Sequence, residues 1–167
     1  MLQKIDLATC TFNPFDKIGK QWMLITSGSL NNYNTMTASW GMMGFIWRKP
    51  VINIVVRKQR YTYEFVEKND LFTVSFYPES YKKALTFCGT KSGRDVNKAK
   101  ECNLTPMEFD NSVAFAEAEM VFVCKKQYVQ DLQEDCFLDK TIADEVYPQK
   151  DFHRSYVGEI IAVYKNQ

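Results

Sequence analysis

Histidine is almost absent from this chain: His153 stands alone among 167 residues. A metal centre built on several imidazoles is therefore excluded. Cysteine is present but unpatterned. Cys10, Cys88, Cys102, Cys124 and Cys136 form an odd, scattered set without CxxC spacing, which suits neither a disulfide framework nor a zinc site. They read as free thiols of a reducing compartment, and no metal site is assigned. Charge of one sign is missing too. Lys and Arg total 21 against 20 Asp and Glu, the formal charge is +1, and no basic run exceeds two residues. Nucleic-acid affinity rests on phosphate neutralisation, so no nucleic-acid partner is expected. No apolar stretch approaches the roughly 20 residues of a membrane span, so no membrane is expected either. The opening MLQKIDLATC lacks the apolar centre of a signal peptide, which makes the cytoplasm the expected location. Several chemistries lack their motifs: GxGxxG after a strand, GxxxxGK(S/T), HExxH and GxSxG are all missing. A Cys–His pair such as Cys88 with His153 has no local signature. The catalytic residues therefore stay unassigned.

What is present is apolar and aromatic. Apolar residues make up 46% and charged residues 25%, a globular composition. The length suits a single domain over 1–167 with a sizeable core. There are 12 Phe, 9 Tyr and 3 Trp. Most must be core, and the excess fits a protein that holds a flat ring or pairs with a partner.

Along the chain, QWMLITSGS reads as a strand ending at Gly28, and GSLNNYN as a polar loop. TMTASWGMMGFIW reads as one strand with a glycine break. VINIVVR, begun by Pro50, is a β-branched strand. RYTYEFVEKND puts Tyr61, Phe65 and Val66 on one helical face and ends near Asn69. LFTVSFY is a strand, PESYKKALTFC a helix broken by GTKSG, and RDVNKAKECN a short helix. SVAFAEAEMVFVCKKQYV reads as one long strand with Ala114, Ala116, Ala118, Met120, Phe122 and Cys124 on one face. DKTIADEVYPQ is loop with a helical turn, and YVGEIIAVYK a closing strand. About six strands with three short helices between them imply a mainly antiparallel barrel with helices packed outside.

The polar groups that could do chemistry are spread over three segments. Thr37 and Ser39 share a parity, so their hydroxyls point to one face, while Ala38 and then Trp40 face the other way. Arg57, Arg60 and Thr62 sit where VINIVVR meets a helix. A helix N-terminus with charge-assisted donors beside it suits a phosphate. GTKSGRD, Gly89 to Asp95, sets two glycines about Thr-Lys-Ser, a backbone able to approach an anion. Singly, each reads as an ordinary strand or solvated turn. Met42 and Met43 read as core.

Taken together, NTMTASWGMMG, KPVINIVVRKQRYTYEF, ALTFCGTKSGRDVNKAKE and HRSYVGEI closely resemble the flavin reductase-like family, FMN-binding split-barrel proteins of the flavoredoxin type. The resemblance runs from about Gln21 to Tyr164. It implies a split β-barrel, Greek-key-like and antiparallel, assembled as a homodimer with FMN near the subunit interface. The Thr37–Trp40 strand, including Ala38 and Ser39, would run along the isoalloxazine ring, with Asn34 near the cofactor. Gly41 would let the backbone come close. Arg57, Thr62, Lys91 and Ser92 would lie at the ribityl phosphate. His153 and Tyr156 would complete the pocket, from either subunit. The implied activity is an FMN-dependent oxidoreductase using NADH or NADPH and passing electrons to a small-molecule or protein acceptor. The flavin carries such chemistry, so the missing catalytic dyad does not count against an enzyme. An FMN-containing electron carrier reduced by a partner protein and a non-catalytic flavin-binding module are the alternatives.

Overall fold

The β-branched run after Pro50 forms β5 (Lys49–Arg57), with Ile52, Ile54 and Val56 pointing inward and fully buried. Alternation on its neighbours matches it. In a computed structural model describing residues 1–166, the other strands are β1 (Leu2–Ile5), β2 (Met23–Ser29), β3 (Asn32–Ala38), β4 (Gly41–Ile46), β6 (Leu71–Phe76), β7 (Pro106–Phe109), β8 (Ser112–Phe115), β9 (Met120–Asp131) and β10 (His153–Asn166). The helices are α1 (Pro14–Asp16), α2 (Tyr61–Lys68), α3 (Lys82–Thr90), α4 (Lys98–Glu101) and α5 (Lys140–Val146). No helix among the described residues is long and apolar enough to cross a membrane.

The main sheet runs β3-β2-β6-β9-β10-β5-β4, with β1 added to β10 and β7–β8 forming a separate hairpin. All its pairings are antiparallel. β3 and β4 are consecutive in the chain yet lie at opposite ends of this path. Only Ser39 and Trp40 join them. Three Cα steps span at most about 11 Å, so the sheet must curl until its two edges meet. The edges are not hydrogen-bonded to each other, and the barrel is split at that seam.

Two cores result. Met23, Ile25, Phe72, Val74, Phe122 and Tyr156 belong to the one that β5 faces. Leu24, Leu85, Cys88, Phe115, Val121 and Val123 fill the other, which takes in residues of α3, α4 and the β7–β8 hairpin. β2 and β9 are therefore buried on both sides where they pass between the cores.

Four expectations change: Met42, expected in the core, is exposed on β4, and three concern the strands. The strand count rises from about six to ten, because the N-terminal β1 and the short β7 carry little periodicity. The segment from Ser112 is two strands. It breaks at Ala116–Glu119, where the Ala116 N–H bonds Thr105 O and the Ala118 N–H turns back to Phe115 O. The segment from Asn34 also breaks, at Ser39–Trp40 and not at a glycine. Gly41 opens β4, and a Cβ there would lie 2.8 Å from Asn53 O and 3.1 Å from Met23 Cε. Its close approach is to the barrel's own backbone. The helices at Tyr61 and Lys82 form as their spacing requires, with Asn69 capping α2.

A packing test follows from Gly158, which sits at an irregularity in the β9–β10 register. A Cβ there would meet Phe72 Cζ at 2.6 Å and Cys124 Cβ at 2.9 Å. Gly158→Ala should destabilise the fold by about 1–3 kcal/mol through overpacking. Urea unfolding measures it; an unchanged midpoint would show that Phe72 rotates away freely.

Candidate functional site

The seam is also where the polar residues gather. As the chain crosses from β3 to β4, Met36, Thr37, Ala38, Ser39 and Trp40 form one wall of a depression of about 180 Å³, and Val55, Arg57, Arg60 and His153 form the other. A second depression of about 250 Å³ adjoins it, sharing Thr37 and Ser39 and bounded by Trp22, Leu85 and Gly89. Small-ligand sites start near roughly 300 Å³; only the two together reach that size.

Register fixes the far wall. Arg57 ends β5 and His153 begins β10, directly opposite each other in the ladder. The Trp40 ring lies 5.4 Å from the His153 ring and is half exposed. Ala38 packs on the first core, as the alternation of β3 requires. Trp40 does not follow it inward, because the strand has ended by then and its alternation no longer applies. The Thr37 hydroxyl donates to Leu85 O of α3.

The charge balance of the site is positive. Arg57 pairs with Asp151, donates to Val146 O at 3.0 Å and stacks 5.1 Å above the Tyr147 ring. Arg60 donates to Gly89 O at 2.7 Å and forms no ion pair among the described residues. Burial, then the neighbouring Arg57, lowers its pKa. Arg60 is also the N-cap residue of α2, with no side-chain cap bond. The first-turn N–H groups therefore keep their partial positive charge. Burial and Arg57 push the His153 imidazole down to about 4. It is neutral at pH 7, with Nδ1 held 2.7 Å from the Tyr147 hydroxyl.

The other sequence-named residues are placed as follows. Asn34 and Thr62 are buried and spend their groups on each other, Asn34 Nδ2 donating to Thr62 Oγ1 at 2.7 Å. Asn34 Oδ1 lies 1.9 Å from where a Cβ on Gly93 would sit, so the loop after α3 locks onto this pair. Lys91 is exposed and caps α3, and Ser92 Oγ accepts from the Arg94 N–H at 3.2 Å. Arg94 pairs with Glu64 and stacks on Tyr61, which brings this loop against the first turn of α2. Tyr156 is not brought to the depression. It lies on the opposite face of β10 from His153, fully buried, with its hydroxyl donating to Glu67 at 2.7 Å.

Sequence reasoning missed Met36, Val55, Tyr147, Asp151 and Lys98. Lys98 is buried, donates to Thr35 O and Cys88 O at 2.8 Å each, and is pushed down to about 8 by burial. It ties β3 to α3. Nothing local marks it. Asp151 and Tyr147 gain meaning only from contacts with Arg57, 94 residues away for Asp151.

With this geometry in view, comparison with known proteins gives a consistent result. The model of the family described as flavin reductase like domain matches residues 15–167, and the chain belongs to that family. No curated protein matches significantly. Among solved structures, the flavoredoxin of Desulfovibrio vulgaris (Miyazaki F) superposes with TM-score 0.69 at 20% identity, covering 99% of this chain and 78% of that one. An FMN-binding domain of a flavin reductases-like enzyme from Shewanella baltica OS155 gives 0.69 at 18%, covering 99% and 77%. The NADH:FAD oxidoreductase of Streptomyces globisporus, in complex with NAD and FAD fragments, gives 0.64 at 16%, covering 87% and 74%. At these identities the structures establish a shared split-barrel fold.

The sole histidine offers a clean test. Folding lowers its pKa from the ordinary 6.5 to about 4, so the unfolded chain takes up the proton first as pH falls. The stability this contributes is complete above about pH 6.5 and is lost progressively toward pH 4, amounting to about 3 kcal/mol. In an NMR titration the single imidazole should stay neutral at pH 5. A midpoint near 6.5 would mean the ring is open to water.

Proposed function

We propose that the chain binds FMN across the split-barrel seam and acts as an oxidoreductase drawing on NADH or NADPH. The observation that carries this is the crossing itself. Ser39 and Trp40 lie between two ladders and belong to neither, so on the wall of the depression they line their backbone polar groups have no sheet partners. Such groups need donors and acceptors from elsewhere, and the polar edge of an isoalloxazine ring supplies both. Ala38, Thr37 and the Trp40 ring would bound the flat body of the flavin. At the other end Arg57, Arg60 and the uncapped start of α2 suit a phosphate dianion, with Lys91 and Ser92 on the loop packed beside them. Asn34 and Thr62 would brace this end from behind. Tyr156 would act only through the core beneath it.

Bound FMN would supply the hydride chemistry, and the chain supplies position and field. A neutral His153 neither repels the cationic end nor adds to it, and it can donate or accept one hydrogen bond at the edge of the slot. The family membership and the nucleotide-bound fold relative support a nicotinamide as donor, stacked in an open groove. Five free thiols fit a reducing, cytoplasmic setting for a single-domain protein whose acceptor is a small molecule or another protein.

A homodimer completes the proposal. β4 is an edge strand, and it and the turn after it expose Met42, Phe45, Ile46 and Trp47 beside Trp40. An apolar edge of this kind calls for a cover, and a second copy would place it next to the flavin. Sedimentation should give twice the 19.5 kDa chain mass, and Phe45→Glu should return the single-chain value. A wild-type monomer at micromolar concentration would refute the dimer.

The decisive experiment is an absorption spectrum with added FMN, followed by anaerobic NADH and then NADPH. Flavin bands that bleach with a nicotinamide establish the oxidoreductase. Bound flavin that bleaches only with dithionite makes the chain an electron carrier served by a partner, and bound flavin that never cycles makes it a binding module. No flavin binding at all defeats the proposal. Arg60→Ala should weaken FMN by about 1.5–3 kcal/mol, the worth of a charge-assisted bond, and leave riboflavin unaffected. Arg57→Ala is the less clean probe, because it also strips Asp151 of its partner. Equal losses for FMN and riboflavin would remove the phosphate from this end.

A further inference from the structure

The segment CGTKSGRDVNKAKEC, Cys88 to Cys102, begins and ends with a cysteine, and the fold brings the two ends together. Their Sγ atoms lie 4.0 Å apart. Cys88 is fully buried in α3, and Cys102 is half-buried at the end of α4. Their backbones are held by one residue: Lys98 Nζ donates to Cys88 O at 2.8 Å, and the Cys102 N–H donates to Lys98 O at 3.0 Å. The sulfurs are thus neighbours through a fixed frame, and not through two free rotors. A depression of about 510 Å³ lined by Tyr81, Ala84, Phe87, Glu101 and Cys102 gives a small oxidant access to Cys102.

We propose that Cys88 and Cys102 are a modification site, a dithiol that a peroxide closes to an intramolecular disulfide, clamping the loop between them. Cys102 sulfur attacks one peroxide oxygen as the O–O bond breaks, and the departing hydroxide leaves as water once it gains the thiol's proton. Cys88 sulfur then attacks the Cys102 sulfenic sulfur. The S–O bond breaks, and the second water carries off the Cys88 proton. The two thiols lose two electrons and two protons, and the peroxide is reduced to two waters. Burial raises both thiols, Cys88 up to about 12. Both thiols therefore rest protonated at neutral pH; the half-buried Cys102, which lines the depression, is the attacking member, and closure speeds up as pH rises.

The ring so closed contains Lys91, Ser92 and Gly93. That the clamp bears on phosphate binding rests on the function proposed above; the disulfide itself does not. A cross-link around a loop of this length restrains the unfolded chain, and the oxidised protein should melt about 6–12 °C higher.

The test uses the whole chain, treated with excess hydrogen peroxide at pH 8, then alkylated in denaturant and mapped by mass spectrometry without reduction. The expected product is one Cys88–Cys102 peptide, lighter by two hydrogens and restored by dithiothreitol. Cys136→Ser, which removes the exposed thiol, should leave this product unchanged. Cys102→Ser should abolish both the cross-link and the rise in melting temperature. Cys102 driven to sulfinic acid while Cys88 remains a free thiol would overturn the proposal, as would Cys136-linked dimers as the main product. A mapped disulfide in a chain that binds no FMN would leave this site standing and sink the flavin reading. FMN binding without the cross-link would do the reverse.

Discussion

Two residues set the geometry of the whole molecule. Ser39 and Trp40 must connect strands that stand at opposite ends of a seven-strand path, and a chain that short can do so only if the sheet rolls up. The roll buries one face of every central strand and leaves the other to the helices. It also takes two peptide groups out of any ladder and sets them in a concavity, where backbone polarity goes unused. The same constraint therefore shapes the barrel and opens the site.

The two ends of that site are built differently. At the seam, contact is mostly backbone and apolar surface, with Met36, Ala38 and Val55 beneath. At the junction of β5 and α2 the walls are held by charged and buried polar bonds. Asp151 answers one guanidinium, while Arg60 has no carboxylate partner among the described residues; Asn34, Thr62 and Gly93 interlock; Lys98 joins β3 to α3. In the proposed function, the rigid cationic end is the one suited to a charged tail and the adaptable apolar end the one suited to a ring.

Much of this was legible in the sequence, for physical reasons. β5 and α2 are strongly periodic, and their junction carries Arg57, Arg60 and Thr62 in one short run, so the cationic end shows itself locally. The family resemblance pointed to the Thr37–Trp40 stretch, which lines the seam depression. What the sequence hid was long-range. Alternation predicts Trp40 inward, and only the crossing turns it out. Tyr156 lies three residues past His153, and a strand's period of two sends the pair to opposite faces. Asp151, Tyr147 and Lys98 have no local signature, because their meaning lies in partners distant in the chain.

The imidazole illustrates how the pieces depend on each other. His153 stays neutral because it is buried beside Arg57. Arg57 in turn holds its place because Asp151, Val146 O and the Tyr147 ring take it from three sides. Each of those three comes from the stretch leading into β10. That stretch is thus more than a connection between strands: by fixing one guanidinium it sets the protonation state of the only histidine and the field at the mouth of the site. A change anywhere from Val146 to Phe152 that loosens Arg57 would shift its charge relative to Arg60. The positive charge at the cationic end would then change without any residue on its surface being altered.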